Sequence, residues 1–389
     1  MIFETPELRE DEHEVLALIA DLRDELQGRV AEPRRWAGTL RKMAFARAVQ
    51  GSNSIEGYNA SLDDVVAAVE GEPTLNANEE TQLALAGYRD AMTYVLQIAG
   101  DSTLEVDEGL LKSLHFMMIK HDLRRNPGRW RPGSIYVQKE GGETVYEGPP
   151  GDEVPALMAE ALRELRRDDS PVLVKAAMAH LNLVLIHPFS DGNGRMGRCL
   201  QTLVLARDRL LAPVFSSIEE FLGRNTQADY DVLADVGAGS WHPDRDARAW
   251  IRFCLRAHFL QIQTMQRRRA EIEELWNGCV ALAEAHSLPE RCAAALVDTA
   301  YGLRIRRGSY RSAGEEMTGE QISDQSASRD LKAMVDLELL EAVGERRARY
   351  YLGGAEAKAL REAIRAKRPP READDPFQIV RERRQLSLS

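Results

Sequence analysis

Hydrophobic positions recur at helical spacing along most of the chain. In the segment EVLALIADLRDEL, the apolar residues Val15, Leu18, Ile19, Leu22 and Leu26 fall on one face of a helix. The same pattern returns in most of the long segments. We therefore predict a mainly helical protein.

One stretch departs from this pattern, and it runs from Gly128 to Pro150 with the sequence GRWRPGSIYVQKEGGETVYEGPP. Residues with high β-propensity occupy positions 135–137 and 144–146, and a Gly141-Gly142 pair lies between them. Two such runs around a glycine turn are typical of a β-hairpin. We expect this hairpin to protrude from the helical body.

Changes in composition suggest how the chain is organised. We predict an N-terminal helical segment (1–34), a helical core (35–262), a charged helical connector (263–287), a smaller C-terminal unit (288–353) and a polar tail (354–389). The connector contains the charged run QRRRAEIEEL. The tail contains KRPPREADDPF, and we expect it to be loosely ordered.

Composition and charge narrow the class of protein. The chain has 389 residues, of which 44% are hydrophobic and 29% are charged, as expected for a soluble globular protein. No apolar run has the length of a signal peptide or a membrane span, and the four cysteines form no CxxC pair. We predict a cytoplasmic protein with no membrane partner. Its net charge of −11 repels nucleic acid unless a local basic patch overrides it.

The segment HPFSDGNGRMGR, residues 187–198, combines a histidine, a carboxylate, two glycines, an amide and two arginines. The preceding residues DDSP, 168–171, carry a serine N-cap and a proline, which predicts a helix from Pro171 to about Ile186. Pro188 then turns the chain. Gly192 and Gly194 allow a tight loop before the apolar pattern resumes at 196–211. The loop therefore leads into the N-terminus of a second helix.

A helix N-terminus favours anions because its free N–H groups and its dipole attract negative charge. Arg195 and Arg198 are three residues apart and would extend this into a cradle for a polyphosphate. Asp191 in such a cradle is best explained as a magnesium ligand. His187 is able to accept a proton near neutral pH. Together these groups indicate nucleotide transfer to a hydroxyl.

The same segment resembles the Fic family motif, HPFx(D/E)GNGRxxR, at every defined position. The resemblance implies an all-α bundle with a β-hairpin flap and transfer of AMP from ATP to a protein Ser, Thr or Tyr hydroxyl, with Mg²⁺ as cofactor. By position, His187 would be the general base and Asp191 the magnesium ligand. The resemblance assigns the phosphates to Gly192, Asn193, Gly194, Arg195 and Arg198, the last two on the β- and γ-phosphate sides.

The likeness extends from about Trp36 to Phe259. The family's phosphorylating branch has lysine where this chain has Gly194, so AMP transfer is the favoured interpretation. The hairpin segment Ile135, Tyr136 and Val137 resembles the flap, which in the family aligns the target by strand addition. Further along, in FLGRNTQADY, Asn225 and Tyr230 are candidates for contact with adenosine.

A second segment, GSNSIEGYNA, follows an apparently helical run. Ser52, Glu56 and Gly57 match the family's inhibitory pattern, (S/T)xxxE(G/N), on a helix that we place near 45–57. The resemblance implies that Glu56 pairs with Arg198 and deprives the γ-phosphate of its partner. In some relatives this glutamate also orients water to remove AMP, so reversal is compatible with this chain.

The C-terminal unit resembles the winged helix-turn-helix module of many Fic proteins. We assign Ser326–Leu337 to the recognition-type helix and Leu340–Leu352 to the wing. Residues 301–353 hold nine basic against nine acidic side chains, whereas a DNA reader normally has a basic excess. A cluster of arginines could still bind phosphate locally: Arg304, Arg306, Arg307, Arg346, Arg347 and Arg349.

The leading hypothesis is thus a protein adenylyltransferase restrained by Glu56, with ATP and a protein target, or the chain itself, as partners. One alternative is a transcriptional regulator whose winged helix binds DNA and whose Fic site senses nucleotide; the balanced charge of the C-terminal unit disfavours DNA. Another is transfer of a different nucleotide, such as UMP from UTP. A homodimer is compatible with each of these hypotheses.

Overall fold

The computed structural model describes residues 1–30, 35–138, 141–167, 170–207, 213–215, 217–368 and 375–387. Helices dominate these ranges, and the strands form two separate two-stranded hairpins. This confirms the helical prediction and the hairpin. None of the helices in these ranges combines the length and apolar character needed to cross a lipid bilayer.

The helices of the described ranges are α1 (Glu10–Val30), α2 (Ala37–Ile55), α3 (Leu62–Glu70), α4 (Glu79–Ile98), α5 (Glu108–Ile119), α6 (Val154–Arg166), α7 (Val172–Ile186), α8 (Asn193–Arg207), α9 (Glu219–Arg224), α10 (Thr226–Gly237), α11 (Arg248–Ala285), α12 (Cys292–Ala300), α13 (Arg307–Thr318), α14 (Asp324–Asp336), α15 (Ala355–Ala366) and α16 (Pro376–Ser387). The strands are β1 (Tyr136–Gln138), β2 (Thr144–Glu147), β3 (Leu340–Val343) and β4 (Tyr350–Gly353).

At the centre of the protein, α7 packs along α8, and the motif loop joins them. Both helices are buried on nearly all sides, as the almost continuous apolar sequence of α7 suggests, whereas α8 also buries polar residues such as Arg195, Arg198 and Gln201. α4, α5, α6 and α11 surround this pair and complete one hydrophobic core. The motif loop is therefore held between two buried helices.

The starts and ends of these two helices differ slightly from the sequence prediction. The cap position of α7 is Pro171 rather than Ser170, and no side chain caps it. α8 begins at Asn193, three residues before the predicted start at Met196. Asp168, Asp169 and the predicted end of α8 at residues 208–211 lie outside the described residues.

The predicted flap is the hairpin of β1 and β2. The strands run antiparallel, with Tyr136 opposite Glu147 and Val137 opposite Tyr146. Ile135, which we predicted within the strand, precedes it, although its carbonyl accepts a hydrogen bond from the Gly148 amide at 3.1 Å. The side chain of Tyr146 is buried, and its hydroxyl donates to the Leu185 carbonyl at 2.7 Å, which anchors the hairpin to α7.

The charged connector is not a separate element. Residues 263–285 continue α11, which starts at Arg248 inside the core and runs for 38 residues. Its apolar positions contact the core at one end, through Trp250, and the C-terminal unit at the other, through Trp276. One helix thus joins both parts of the chain.

The C-terminal unit contains α12, α13 and α14, followed by the hairpin of β3 and β4. A further bridge pairs Ile305 with Tyr351 of β4. α14 coincides with the predicted recognition-type helix to within two residues, and β3 and β4 coincide with the predicted wing. Assignment of this unit to the winged-helix class stays a prediction.

The expectation of a loosely ordered tail is wrong for the described residues after Gly354. α15 places Ala357 and Ile364 against α11 and α12, and α16 returns to α1 with Phe377 and Val380 buried. Arg252 of α11 lies 3.8 Å above the Phe377 ring. The few apolar residues in this polar stretch are spaced for one helical face, so short amphipathic helices form despite the overall polarity.

Ion pairs fasten the C-terminal unit to α2 and α3. Arg304 is buried and bonds the carboxylates of Asp63 and Asp64. Lys42 of α2 lies 2.5 Å from Asp298 of α12. These contacts correct the predicted phosphate-binding role of Arg304, whose guanidinium is committed inside the protein.

The other members of that arginine cluster are placed differently. Arg306 lies 3.3 Å from Glu72, so it too faces α3. Arg307 is half-exposed and lies 3.3 Å from Asp324. Arg346 and Arg349 are exposed on the β3–β4 hairpin, and the side chain of Arg347 lies outside the described residues.

Candidate nucleotide site

The motif loop starts at His187, which ends α7 in the left-handed conformation with φ 54° and ψ 57°. Such a backbone is costly for a residue with a Cβ and persists only where its surroundings hold it. Arg131 supplies part of that support. Its Nε donates to the His187 carbonyl at 2.7 Å, and its backbone amide donates to the Pro188 carbonyl at 2.9 Å.

The ring of His187 is half-buried at the edge of the loop. Its Nδ1 lies 3.1 Å from the Val184 carbonyl and donates to it, which leaves Nε2 as the proton acceptor. Burial lowers the pKa of His187 to about 4, an effect larger than the hydrogen bond that raises it. The imidazole is therefore neutral at pH 7 and is able to act as a base.

The next part of the loop is held by Asn193 and His115. Asn193 is buried, its Oδ1 accepts from the Phe189 amide at 2.9 Å, and its Nδ2 donates to the Phe189 carbonyl at 2.9 Å. The His115 ring stacks on the Phe189 ring, with centroids 3.7 Å apart. Both polar groups of the Asn193 side chain are thus bonded within the loop. A contact between this residue and a phosphate would be made by its backbone amide.

Gly192 has φ 76°, and α8 begins at the residue after it. A Cβ at this position would also lie 3.0 Å from Ile119 Cδ1. The positive φ therefore favours glycine, and the close approach of Ile119 adds to that preference. The turn leaves the amides of residues 192–195 at the N-terminus of α8, where an anion is favoured.

Asp191 is ion-paired. Its Oδ2 lies 2.5 Å from Arg125 and 3.6 Å from Arg195. Burial raises the pKa of this carboxyl, but the two arginines outweigh burial and lower it overall, so Asp191 is ionised at neutral pH. A single carboxylate beside a phosphate cradle fits Mg²⁺, which is usually held by one or two carboxylates together with substrate phosphates. Among the described residues no cluster of three His, Cys, Asp or Glu side chains could hold a metal without such phosphates.

Arg195 is almost completely buried, and its guanidinium lies 5.1 Å from the centroid of the Tyr58 ring. Its Nε and Nη1 have no hydrogen-bond partner among the described residues. Buried donors without partners are costly and rare, so these two nitrogens are well suited to an anionic ligand.

Arg198 is also buried. Its hydrogen bonds among the described residues are all with Ser52 of α2 or with Glu56, the residue that follows α2. Its Nε donates to Ser52 Oγ at 2.8 Å, and its Nη2 donates to the Ser52 carbonyl at 3.0 Å and to Glu56 Oε1 at 2.6 Å. Glu56 ends α2, and Gly57 follows with φ 84°. The three residues of the inhibitory pattern therefore lie at the end of α2, directly over the motif.

Ser52, Glu56 and Arg198 form a latch, and Tyr230, one of the two candidates for adenosine contact, lies beside it. Asn225 stands between α9 and α10, and its Nδ2 donates to the Phe221 carbonyl at 2.7 Å. Tyr230 is half-exposed on α10, and its hydroxyl donates to the Ile55 carbonyl at 3.1 Å. Tyr230 thus contacts the end of α2, and the Asn225 amide is engaged within its own turn.

Sequence reasoning missed three residues of the site. Arg125 and Arg131 precede the hairpin, and the run of basic residues around GRWRPG is a signal that could have identified them. Asp229 is buried on α10 with Oδ1 unpartnered among the described residues. Burial raises its pKa to about 6, and the Arg198 charge opposes that rise. No sequence signal marks Asp229, since a lone Asp on a helix is common.

The flap residues lie on the strand that is open to a partner. Tyr136 is half-exposed and Val137 half-buried on β1. The second strand, β2, is occupied on its far side by a bridge between Glu147 and Ser240, whereas no strand pairs with the far side of β1 in the described ranges. β1 is therefore an available edge for strand addition.

A sequence model of the Fic/DOC family matches residues 105–205. Over longer stretches, the chain is 27% identical to the protein adenylyltransferase Fic of Nematostella vectensis over 263 residues, which is 64% of this chain and 55% of that protein. It is 30% identical to the protein adenylyltransferase Fic of Culex quinquefasciatus over 217 residues, which is 54% of this chain and 40% of that protein. The chain thus spans about half the length of these relatives.

Solved structures share the fold. A Fic family protein from Desulfovibrio desulfuricans G20 aligns with a TM-score of 0.56 at 22% identity, covering 90% of this chain and 97% of that one. Fic-1 from C. elegans aligns with a TM-score of 0.52 at 22% identity, covering 65% of this chain and 71% of that one. At this level of identity the likeness supports the overall fold alone.

Proposed function

We propose that this chain, whose residues 105–205 match the Fic/DOC family, is a protein adenylyltransferase that moves AMP from ATP to a Ser, Thr or Tyr hydroxyl of a protein, itself included. One observation carries the proposal. Arg195 is buried at the N-terminus of α8 with two nitrogens unpartnered among the described residues, and the loop before that helix begins with a histidine whose Nε2 is left to accept a proton. That combination suits a phosphate chain that is attacked by a hydroxyl.

The reaction needs positioning and charge neutralisation more than covalent help. The target hydroxyl oxygen forms a bond to the α-phosphorus while its proton passes to His187 Nε2. The bond between the α-phosphorus and the oxygen that bridges to the β-phosphorus breaks, and pyrophosphate leaves with that electron pair. The amides at the start of α8 and the Arg195 guanidinium stabilise the charge that accumulates on the phosphates.

Magnesium, held by Asp191 and the phosphates, would supply further charge neutralisation. Because Arg125 and Arg195 reach Oδ2 of this carboxylate, they fix its orientation in the ligand-free protein. Asp191 is also kept ionised by these arginines, as a metal ligand must be.

We further propose that Glu56 restrains the enzyme. Arg198 is the second guanidinium of the motif, and its Nε and Nη2 donate to Ser52 and Glu56. A carboxylate at this point both neutralises the arginine and repels a γ-phosphate. ATP then lacks the contact that would align its α-phosphorus with the base.

Target recognition is proposed at β1. An extended segment of the target, added to the open edge of this strand, would bring its hydroxyl along the hairpin toward the loop. Backbone donors alternate between the two sides of a strand, so proline at Tyr136 and proline at Val137 remove donors on opposite sides. Only one of these two prolines removes a donor from the open edge of β1. We expect that variant to lose target modification while its flap stays folded. If neither proline variant loses target modification, strand addition is contradicted.

The experiment that tests the proposal is intact-mass measurement of purified wild type, Glu56→Gly and His187→Ala after incubation with ATP and Mg²⁺. We expect a mass gain of one AMP, strongest in Glu56→Gly and absent in His187→Ala. His13→Ala, which changes an exposed histidine on α1, is the matched control and should behave as wild type. Parallel incubations with UTP, GTP and CTP identify the base of the donor.

Equal modification of wild type and Glu56→Gly would contradict the restraint and leave the transferase. No mass gain with any nucleotide, in the presence of a panel of candidate target proteins, would contradict the transferase. The result would then favour the nucleotide-sensing alternative.

A further inference from the structure

A second concentration of arginines lies away from the motif loop. A cavity of about 240 Å³ is enclosed by α2, α9, α11, α15 and the residue after α12, and seven of its twelve lining residues are arginines. They include Arg47, Arg224, Arg268, Arg361, Arg365 and Arg368. None of the lining residues belongs to the motif or to the inhibitory pattern. In a chain with a net charge of −11, such a local excess of positive charge needs an explanation.

Two carboxylates pair with part of this cluster. Glu220 binds Arg268 through two contacts of 2.5 Å and Arg224 at 2.6 Å. Glu271 binds Arg368 through two contacts of 2.5 Å. Both carboxylates are therefore already saturated by bidentate pairs.

Three other arginines of the cavity, Arg47, Arg361 and Arg365, are less well neutralised. Arg47 lies 4.0 Å from Glu220, which it shares with two closer arginines, and its buried Nε has no hydrogen-bond partner in the described ranges. Arg361 lies over the Tyr301 ring at 4.5 Å and donates to the Ala300 carbonyl, and no ion pair among the described residues includes it. Arg365 is exposed at the mouth, and no described ion pair includes it. Burial, and then the Arg268 charge, lower the pKa of Arg47 to about 10, in accord with a crowd of like charges.

The size and walls of the cavity restrict the ligand. Its volume lies below the roughly 300–1,000 Å³ of pockets that enclose drug-sized molecules, so the ligand is compact. Arginines that converge from several helices match the tetrahedral oxygens of phosphate, which guanidinium binds in bidentate fashion. A concave site of this kind is also too narrow to follow the backbone of a duplex.

We infer that this arginine cavity is a binding site for a di- or triphosphate group, separate from the motif loop. The phosphates are free, as inorganic pyrophosphate or triphosphate, or they are the end of a nucleotide. The inference is independent of the proposed transferase activity, because the cavity and the motif loop share no side chain.

Isothermal titration of the full chain with inorganic pyrophosphate and inorganic triphosphate tests the site. Arg47→Gln and Arg365→Gln each remove a guanidinium without taking away a bidentate partner of Glu220 or Glu271. We expect either variant to weaken binding about tenfold or more, as for loss of a hydrogen bond to a charged group. Arg346→Gln with Arg349→Gln, two exposed arginines on the β3–β4 hairpin, controls for the loss of positive charge and should bind as wild type.

Thermal unfolding of each variant separates a loss of phosphate binding from a loss of stability. Without ligand, Arg365→Gln should melt no lower than wild type because one like charge is removed, and pyrophosphate should raise the melting temperature of wild type more than that of the variant. Titration with ATP in an Arg195→Gln background, which removes the unpartnered donors of the motif loop, distinguishes free from nucleotide-borne phosphates. If ATP binds in this background and the further substitution Arg47→Gln abolishes that binding, the cavity accepts the phosphates of a nucleotide. If pyrophosphate binds but ATP does not, the cavity accepts free phosphates.

Three results would overturn the inference. Pyrophosphate and triphosphate binding that is lost in Arg195→Gln but kept in Arg47→Gln and Arg365→Gln would locate all phosphate binding at the motif loop. Absence of binding by wild type would leave the cavity without a phosphate ligand. Binding of a DNA duplex, lost in the two cavity variants while pyrophosphate does not bind, would make this surface a nucleic-acid contact.

Discussion

The carboxylate of Glu56 occupies the space next to Gly194 that a side chain at this position would need. A Cβ built on Gly194 would lie 2.5 Å from Glu56 Oε1 and 3.1 Å from Arg198 Nη1. The absence of a side chain at Gly194 therefore leaves room for the Glu56 carboxylate in its ion pair with Arg198. Glycine at 194 is required by the closed latch, since φ at this helical position is ordinary.

Gly194→Ala should loosen the latch, and the loss should depend on Glu56. In wild type, alanine at 194 pushes the Glu56 carboxylate away from Arg198 and destabilises the protein. In a Glu56→Gly background the conflict is gone, and alanine instead gains up to about 1 kcal/mol of helix propensity. Urea unfolding of the two single variants and the double variant should give a coupling energy of about 1 kcal/mol or more. Additive effects would mean that the two residues do not meet in solution.

Ser52→Ala should weaken the restraint without abolishing it. The substitution leaves the Nε of a buried Arg198 without its acceptor, which we expect to lower the free energy of unfolding by about 1–3 kcal/mol. Self-modification should rise, but less than in Glu56→Gly, because Glu56 still holds Nη2. Ser54→Ala is the matched control, since its hydroxyl donates to the Gly51 carbonyl and does not reach Arg198. Identical modification rates in the two serine variants would disprove the role of Ser52.

Stability should fall as the pH drops from 7 to 5. Burial lowers the pKa of His115 to about 4 and that of His180 and His258 to about 3, so the folded state binds fewer protons than the unfolded state between those values and 6.5. Stability is then full above pH 6.5 and is lost progressively below it, by about 1–2 kcal/mol per histidine at pH 5. Asp229, whose raised pKa of about 6 acts in the opposite direction, offsets part of this loss.

The measurement is the urea midpoint of wild type and His258→Leu at pH 7, 6 and 5. Leucine does not titrate, so the variant should lose less stability between pH 7 and 5 than wild type. Parallel pH profiles for the two proteins would show that His258 is not held neutral by burial.

Arg304→Ala should destabilise the protein far more than the same change at Arg307. Removal of Arg304 leaves the buried Asp64 and its neighbour Asp63 without their guanidinium, at a cost of about 3–5 kcal/mol. Arg307, three residues later, forms a half-exposed pair with Asp324 that contributes about 0–1 kcal/mol. Chemical denaturation of both variants checks the difference. Equal losses would mean that the C-terminal unit is not fastened to α3 through Arg304.

The parts of the fold that were predicted from sequence are those governed by local patterns. Helical periodicity and the Gly141-Gly142 turn depend on neighbouring residues, so the helices and the flap were found. α15 and α16 were missed because a tail with many charges resembles a disordered one, and the few apolar residues that decide the outcome are recognisable only once α1 and α11 provide a surface for them.

The site was predictable where chemistry is concentrated in one segment. Residues 187–198 carry their own turn residues, charges and base, so the loop and the start of α8 could be inferred. The partners from elsewhere in the chain could not. Arg125 reaches Asp191 across 66 positions, and Asp229 of α10 interacts with the charge of Arg198 only because the fold brings the two residues together. The pairing of Glu56 with Arg198, across 142 positions, was inferred from family resemblance and not from the pattern itself.

α2 makes a contact near each of its ends, with Lys42 against Asp298 in the C-terminal unit and Glu56 against Arg198 in the motif. These residues are fourteen positions apart, which is about 21 Å along the axis and nearly a whole number of turns. Deleting or inserting a single residue between them would rotate one end by about 100° relative to the other. The helix could then make either contact but not both. The number of residues between positions 42 and 56 is therefore constrained.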